Sequence, residues 1–395
     1  MIPYGRQEIL QADVDAVANV LRSDFLTQGP VVPRFEQAVA SRVGARHAVA
    51  VNSATSALHI ACLALGLKPG DLLWTVPNTF VASANCGRYC GAEVDFVDID
   101  PVTWNLSVPA LEKKLVLAER NRRLPKVVVP VHFGGQPTEQ ESIWELAQRY
   151  DFKVLEDASH SIGASRGGES VGSCRWSDVA VFSFHPVKII TTGEGGMALT
   201  NDGRLAEEMA MLRSHGITRD PARFSDRDRS GSVSAPCHGA WYYEQHRLGF
   251  NYRMTDIQAA LGASQLERLA SNVERRNALA RRYDRSFRKL PLQLPTVTPP
   301  NKCAFHLYVI RLRRRAARLS HREVFDGLRE KGIRVNLHYL PVHLQPYYRA
   351  LGFGSGQFPE AEAHGEEAIT LPLFASLSDE EQDRVIAAVG ELLGT

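Results

Sequence analysis

Apolar residues recur at helical spacing near the start of the chain and follow an alternating pattern after it. Four of them, spaced by four, three and four positions, predict one face of a helix over residues 9–22: Leu10, Val14, Val17 and Leu21. Further on, short apolar runs predict strands over residues 47–51, 72–76, 94–99, 127–131, 154–155, 179–182 and 197–200. The segments between the earlier runs predict helices over residues 55–67, 80–90, 111–119 and 142–150.

Strands that alternate with helices imply a mostly parallel sheet that is covered on both faces, with its ligand site on the loops at the carboxyl ends of the strands. The pattern changes after about residue 203. A helix over 204–213 leads into a polar excursion over 217–247, which is too long for an ordinary connection. One long helix is predicted over 255–287. A smaller α/β portion follows, with a strand over 307–312 and helices over 321–331 and 378–393.

Composition agrees with an ordinary globular chain and excludes several classes of protein. The 395 residues are 44% hydrophobic and 23% charged, and the net charge is +2, so neither a disordered chain nor nucleic-acid binding through bulk charge is expected. The sequence has no apolar run of about 20 residues and no signal peptide at its start, so we expect no membrane partner and a cytoplasmic location. The six cysteines are scattered and predict free thiols, and no metal site is expected.

Three polar segments follow strands in this pattern and carry the candidate chemistry. Lys188 ends the run SFHPVK, which the glycine-rich run TTGEGG follows over residues 191–196; a buried lysine of lowered pKa can attack carbonyl carbons. Asp157 lies at the end of a strand, where it could cap a helix, bind a metal or hold the nitrogen of a cofactor ring. The run NSATSAL over 52–58 joins a strand to a helix, and it suits either a phosphate site or ordinary helix capping.

Together these segments resemble the DegT/DnrJ/EryC1/StrS family of sugar aminotransferases, which use pyridoxal 5′-phosphate (PLP). The resemblance extends along nearly the whole chain through TQGP (27–30), PNTFVA (77–82), the lysine motif, GFNYRMTDIQAA (249–260) and the later HY (338–339) and LP (371–372). It implies the α/β architecture of PLP-dependent enzymes of fold type I. A large PLP-binding domain over 1–250 would be joined to a long helix and a small C-terminal domain over 251–395.

The resemblance also implies a role for each matching residue. Lys188 would be the catalytic residue, bonded to the cofactor through its amine, and Asp157 would pair with the pyridine nitrogen. Phe80 would lie against the pyridine ring. His160 would lie near the phenolic oxygen of the cofactor, at a position where many members have glutamine. The remaining cofactor contacts would be to the phosphate: Ala54, Thr55 and Ser183 from the same chain and Asn251 from the neighbouring subunit of a homodimer.

Within the family, the chain most resembles the branch that acts in pseudaminic acid biosynthesis, through residues 52–57, 156–160, 212–217, 241–244 and 263–266. This resemblance implies amino transfer from L-glutamate to C4 of a UDP-linked 4-keto-6-deoxy-N-acetylhexosamine. The residues implied to line the sugar side are Tyr4, Asp24, Phe25, Leu26, Thr27, Asn336, Leu337, His338 and Tyr339.

Alternatives remain open at this stage for the residues and for the activity. Phe80 could be ordinary core, Tyr4 could anchor the terminus, and Asn251 could cap the helix near Thr255. Ser183 could be a turn residue and His160 a packed histidine. The nearest rival activity is amino transfer to another nucleotide-linked keto sugar. A sugar 3-dehydratase on the same fold is disfavoured because such enzymes replace the lysine, which is present here as Lys188.

Overall fold

The computed structural model describes residues 1–225, 240–313 and 317–394. The helices are α1 (Gln11–Leu21), α2 (Val31–Val43), α3 (Ala54–Ala64), α4 (Ala82–Tyr89), α5 (Val108–Arg120), α6 (Gln140–Tyr150), α7 (Gly203–Leu212), α8 (Asp256–Glu267), α9 (Leu269–Phe287), α10 (His321–Glu330), α11 (Pro346–Arg349), α12 (Pro359–Glu367) and α13 (Asp379–Leu393). The strands are β1 (His47–Val51), β2 (Leu72–Thr75), β3 (Glu93–Phe96), β4 (Val127–Val129), β5 (Lys153–Asp157), β6 (Ser165–Arg166), β7 (Glu169–Ser170), β8 (Val179–Ser183), β9 (Gly196–Thr200), β10 (Ile217–Thr218), β11 (Glu244–Gln245), β12 (Leu292–Gln293), β13 (Asn301–Lys302), β14 (Tyr308–Leu312) and β15 (Ala368–Leu371).

A seven-stranded sheet in the order β1-β9-β8-β5-β4-β2-β3 forms the centre of the larger part. Strands β3, β2, β4, β5 and β8 are parallel to one another, as the alternating pattern predicts. Strand β9 runs antiparallel to both β8 and β1. No helix lies between β8 and β9, and a parallel partner would need a crossover connection, so the chain can only return antiparallel at this point.

The smaller part has its own sheet and its own apolar core. Strands β12, β14 and β15 form an antiparallel sheet, against which α9, α10 and α13 contribute buried residues. Tyr283 and Phe287 of α9 and Tyr308 of β14 are each no more than 1% exposed in this core. The boundary predicted at residues 250 and 251 stays a prediction.

The prediction of one helix over 255–287 is wrong, because the chain breaks it at Arg268. Helix α8 ends at Glu267. The backbone of the next residue, Arg268, leaves helical geometry with φ −96° and ψ 3°, and α9 begins at Leu269. The Arg268 guanidinium donates to the carboxylate of Asp13 in α1, with an Nη2 to Oδ2 distance of 2.9 Å. The break therefore occurs where the N-terminal helix docks. α9, the longest helix at 19 residues, is rich in arginine, and no helix in the described ranges has the length and apolar character to cross a bilayer.

The N-terminal helix forms as predicted, but this chain does not cover its apolar face. Leu10, Val14 and Leu21 are 43%, 49% and 57% exposed. Phe25 and Leu26, just beyond the helix, are also exposed. The helical spacing therefore indicates the right element, and among the described residues the apolar face of that helix stays exposed.

Five of the cysteines are free and buried, as the scattered pattern predicts: Cys62, Cys86, Cys90, Cys174 and Cys303. Cys237 lies outside the described residues, as do residues 226–239 of the predicted excursion. The described ends of that excursion pair with each other, β10 against β11.

Asp256 joins the start of α8 to the start of α2. Its carboxylate is fully buried and accepts hydrogen bonds from the backbone N–H groups of Gly29 and Val31, both at 2.7 Å, and of Val32 at 3.1 Å. A carboxylate at a helix N-terminus is stabilised by the unpaired N–H groups and the helix dipole. Asp256 thereby fixes the turn that begins α2.

We expect Asp256→Ala to lower the free energy of unfolding by about 3 kcal/mol, because buried N–H groups lose a charged acceptor. Urea unfolding at one fixed protein concentration measures the change. Asp15→Ala is the matched control, since Asp15 is exposed and accepts only from Gln11 within α1. Equal stability of the two variants would contradict the role given to Asp256.

Candidate active site

A cavity of about 950 Å³ opens at the carboxyl ends of the parallel strands. The loops that follow β1, β2, β5 and β8 contribute its walls, and a segment of the smaller part closes one side. Ligands bind at this edge in open α/β sheets. The cavity brings together most of the residues that the sequence singled out: Tyr4, Ala54, Thr55, Phe80, Asp157, His160, Ser183, Lys188, Asn336, Leu337, His338 and Tyr339.

The N-terminus of α3 forms the part of the wall that suits a phosphate. Ser53 caps the helix, and its side chain accepts from the N–H of Ser56 at 3.1 Å. Ala54 and Thr55 begin the helix, where backbone N–H groups lack intrahelical partners and attract anions. Strand β9 passes very close to this turn, since a Cβ built on Gly196 would lie 2.4 Å from the nitrogen of Ala54. Only glycine permits that approach.

Asp157 ends β5 with a buried carboxylate that two neighbours hold in place. The Ser83 hydroxyl donates to Oδ2 at 2.6 Å, and the N–H of Ser159 donates to Oδ1 at 3.1 Å. Ser83 in turn lies 2.7 Å from the hydroxyl of Thr79. The sequence analysis missed Ser83, although its place in α4, just after the matched run PNTFVA, was the available signal.

Lys188 extends its amine into the same cavity from the loop after β8. Burial lowers the pKa of Lys188 to about 8, although the negative charge of Asp157 acts in the opposite direction. The amine is therefore charged below about pH 8 and free above it. A lysine with a lowered pKa is a competent nucleophile toward carbonyl carbons. Ser183, five residues earlier, is buried at the end of β8, where its hydroxyl accepts from the N–H of His185.

His160 and Tyr339 form a hydrogen-bonded pair beside the lysine. The Nδ1 atom of His160 accepts from the N–H of Gly134 at 3.3 Å, so the neutral ring carries its hydrogen on Nε2 and donates to the Tyr339 hydroxyl at 3.2 Å. Burial, with the nearby Lys188 charge, holds the pKa of His160 well below its usual value. Phe80 lies near Tyr339 with its ring 58% exposed, which excludes the ordinary-core alternative for Phe80.

Tyr4 and the segment 336–339 line the other side of the cavity. The Tyr4 ring lies 5.4 Å from the ring of His338, and burial raises the pKa of the Tyr4 hydroxyl. The N–H of Tyr339 donates to the buried side chain of Asn78 at 3.2 Å. These contacts give Tyr4 more than an anchoring position, because its ring forms part of the cavity wall.

Two predicted parts of the site do not line the cavity of this chain. Residues 24–27 and Asn251 are exposed to solvent outside it. The alternative that Asn251 caps the next helix is wrong, since Thr255 caps α8 by accepting from the N–H of Gln258. Their roles stay predictions that require a second chain.

His306 is a cavity residue that the sequence analysis did not find. Its Nε2 atom lies 3.5 Å from the Lys188 amine. In the sequence it is a single histidine before an apolar strand, and such a residue is usually only packed. The fold alone brings it to Lys188, 118 positions away.

The residues present fit PLP. The cofactor needs a phosphate site, a carboxylate for its ring nitrogen and a lysine for its aldehyde. The cradle that Gly196 leaves open at the N-terminus of α3 suits the phosphate, and Asp157 and Lys188 share the cavity with it.

Comparison with known proteins agrees with this geometry. Residues 7–390 match the DegT/DnrJ/EryC1/StrS aminotransferase family. The chain is 37% identical over 396 residues to the spore coat polysaccharide biosynthesis protein SpsC of Bacillus subtilis, covering 99% of this chain and 97% of SpsC. Helicobacter pylori PseC, an aminotransferase involved in the biosynthesis of pseudoaminic acid, matches with a TM-score of 0.87 and 30% identity over 99% of both chains. Spr1654 of Streptococcus pneumoniae in its PLP form matches with a TM-score of 0.86 and 28% identity, also over 99% of both chains.

We expect the Lys188 amine of the cofactor-free protein to react with aldehydes at a rate that rises with pH to a midpoint near 8. An ordinary lysine reaches its midpoint near about 10.4. Reductive methylation at a series of pH values, followed by peptide mass spectrometry, gives the rate at Lys188, with the exposed Lys113 of the same sample as internal reference. A Lys188 midpoint near that of an ordinary lysine would contradict the effect of burial.

Proposed function

The chain belongs to the DegT/DnrJ/EryC1/StrS family of PLP-dependent sugar aminotransferases, and we propose that it transfers the amino group of L-glutamate to C4 of a UDP-linked 4-keto-6-deoxy-N-acetylhexosamine. The family membership and the fold type I architecture agree with the expectations from the sequence, and PLP is the cofactor. The observation that carries the proposal is that Lys188 and Asp157 share a cavity of about 950 Å³ whose far wall is polar and aromatic.

In the proposed site, each cofactor contact comes from a residue already close to Lys188. Ala54, Thr55 and Ser183 would hold the phosphate through N–H groups and hydroxyls. Asp157, which Ser83 and Ser159 keep oriented, would bond the protonated ring nitrogen. His160 would donate toward the phenolic oxygen.

PLP, when bound, supplies an aldehyde that takes up the amino group and a ring that accepts the electron pair of the C–H bond being broken. In the first half-reaction L-glutamate leaves as 2-oxoglutarate, and in the second the keto carbon of the sugar receives the nitrogen. Lys188, once released as a free amine, would move the proton at the reacting carbon in both halves. The pKa near 8 suits this task, because a useful base has a pKa close to the working pH.

The side of the cavity lined by Tyr4 and the segment 336–339 would hold the sugar nucleotide. Tyr4 and Tyr339 each offer a flat apolar face and a hydroxyl, which suits a sugar or uracil ring. His160 stands where many members have glutamine, and by the resemblance the branch that makes pseudaminic acid shares this histidine. The likeness to PseC supports that substrate.

Amino transfer to a different nucleotide-linked keto sugar is the second candidate. The 37% identity to SpsC, whose name places it in spore coat polysaccharide biosynthesis, is what favours it. A sugar 3-dehydratase has no comparable support, since Lys188 is retained and lies in the cavity.

We further propose that the working unit is a cytoplasmic homodimer with shared sites. The apolar face of α1 and the exposed Phe25 and Leu26 need a partner surface. Asn251 is exposed, as a residue that reaches another subunit would be. Among the described residues that line the cavity, none is an arginine, so a second chain would supply cations for the substrate's anionic groups.

We expect the PLP-loaded enzyme to move isotope-labelled nitrogen from L-glutamate to a UDP-linked 4-keto-6-deoxy-N-acetylhexosamine, detected by mass spectrometry against a panel of UDP- and dTDP-linked keto sugars. Lys188→Ala should abolish the product, whereas Lys113→Ala, which alters an exposed lysine, should retain it. Labelling of another panel member alone would favour the second candidate. Absence of any labelled amino sugar would refute sugar amino transfer by this site.

We expect Lys188→Ala and Asn251→Ala, each inactive alone, to recover activity when their subunits exchange. In a dimer with shared sites, one mixed site carries both defects and the other carries neither, so each mixed dimer should regain about half of the wild-type activity. A mixture of Lys188→Ala with Asp157→Asn is the control, because both groups belong to the same chain's cavity and every mixed site is then defective. If confirmed exchange restores nothing in the first mixture, Asn251 does not act across the interface.

A further inference from the structure

His306 is the residue closest to the reacting amine that the proposed function leaves without a role. It lies in the cavity wall, is 4% exposed, and presents its Nε2 atom to the Lys188 amine at 3.5 Å. Its ring centroid is 4.6 Å from that of His160. Nε2 therefore faces the Lys188 amine, which in the proposed function moves the proton in both half-reactions.

The backbone around His306 is held firmly and under strain. Phe305, which precedes it, has a φ of +46°, a left-handed conformation that is unfavourable for a bulky side chain. The buried Arg276 donates to the carbonyl oxygens of Phe305 and His306, both at 3.3 Å, and of Leu373 at 2.9 Å. The turn at Gly135 packs so closely that a Cβ there would lie 2.9 Å from the nitrogen of His306. These contacts hold Phe305 in its strained conformation and thereby fix the orientation of the His306 imidazole.

The two ring nitrogens of His306 are used unequally. The Nδ1 atom is buried and has no hydrogen-bond partner among the described residues. Leaving a buried polar atom unpaired is unfavourable, so the side-chain hydrogen bond available to His306 among the described residues is the one from Nε2 to the Lys188 amine. Burial and the positive charges of Lys188 and Arg276 keep the pKa of His306 well below its usual value, so the ring is neutral. A neutral ring can accept through Nε2 from the ammonium or amine of Lys188.

We propose that His306 is a positioning residue for Lys188: its Nε2 atom accepts a hydrogen bond from the lysine amine and aims that amine at the reacting carbon. The inference rests on the proposed function, in which Lys188 moves the proton in both half-reactions. His306 acts only through Lys188 and takes up no proton itself.

Several charged or titratable groups face this pair of side chains. The Asp157 carboxylate raises the pKa of Lys188, and burial lowers it. The other such groups around the two side chains are His160, Arg276, His338 and Tyr339. A test of His306 therefore leaves all of these unchanged and alters the imidazole alone.

Three variants separate the two ring nitrogens. His306→Gln places an amide oxygen near the position of Nε2, His306→Asn places one near the position of Nδ1, and His306→Leu removes both acceptors. Reductive methylation of Lys188 in the cofactor-free protein gives a midpoint pH and a limiting rate for each. We expect His306→Leu to move the midpoint down by about one pH unit, because the ammonium loses its acceptor, and to lower the limiting rate about tenfold. His306→Gln should restore both values, and His306→Asn should not.

Equal values for wild type and His306→Leu, or no difference between Gln and Asn, would overturn the proposal. If His306→Leu does not fold, the comparison of Gln with Asn still decides, because both retain a polar side chain. This readout needs neither glutamate nor a sugar, so it stands even if the proposed substrates are wrong.

The loaded enzyme provides the second measurement. A residue that acts through Lys188 should lower kcat of the glutamate and sugar half-reactions by the same factor in His306→Leu, with little change in either KM. A loss confined to the sugar half-reaction would mean that His306 contacts the sugar instead, and would overturn the positioning role. No turnover by the wild type with any donor and sugar would refute the proposed function. The methylation experiment alone would then test whether His306 positions Lys188.

Discussion

The burial of one amine opposite one carboxylate is the constraint on which the site depends. Lys188 and Asp157 share a cavity in which burial lowers the lysine pKa to about 8 and the carboxylate partly offsets that effect. Moving the carboxylate away would leave the amine neutral at lower pH, and opening the cavity to water would leave it charged. The hydroxyl of Ser83 and the N–H of Ser159 hold the Asp157 carboxylate in place. These two hydrogen bonds therefore fix the position of the charge that raises the pKa of Lys188.

The sheet topology explains how Lys188 reaches that position. Because β9 returns antiparallel beside β8, the lysine lies on a connecting loop of twelve residues (184–195) at the carboxyl edge, instead of on a crossover helix. Gly196, the first residue of β9, then lies against the N-terminus of α3, where a side chain would collide with Ala54. One reversal of strand direction thus brings the amine and the phosphate cradle to the same edge.

Local pattern was enough to predict most of the longer elements and much of the site. Most strands and helices of the larger part occur where apolar spacing indicates them, and the family motifs brought Lys188, Asp157 and most of the cavity residues to attention. The break at Arg268 could not be read from spacing, because its guanidinium bonds to Asp13, 255 positions away. Ser83 and His306 were missed for the same reason, since only the folded chain brings them to Asp157 and Lys188.

At residues 305 and 306 the chain also departs from local preference. Phe305 adopts a left-handed conformation, and the Nδ1 atom of His306 has no partner among the described residues. Departures of the same kind occur in the apolar core, where Trp104 has a φ of +62° and an indole nitrogen without a partner among the described residues. Those at Phe305 and His306 lie beside Lys188. Strain of this kind persists only where the surroundings over-determine it, as the Arg276 hydrogen bonds and the Gly135 turn do here. Rules based on propensity describe the conformation that a segment prefers in isolation. They fail at positions where tertiary contacts hold the backbone or a side chain in a conformation that the segment alone would not prefer.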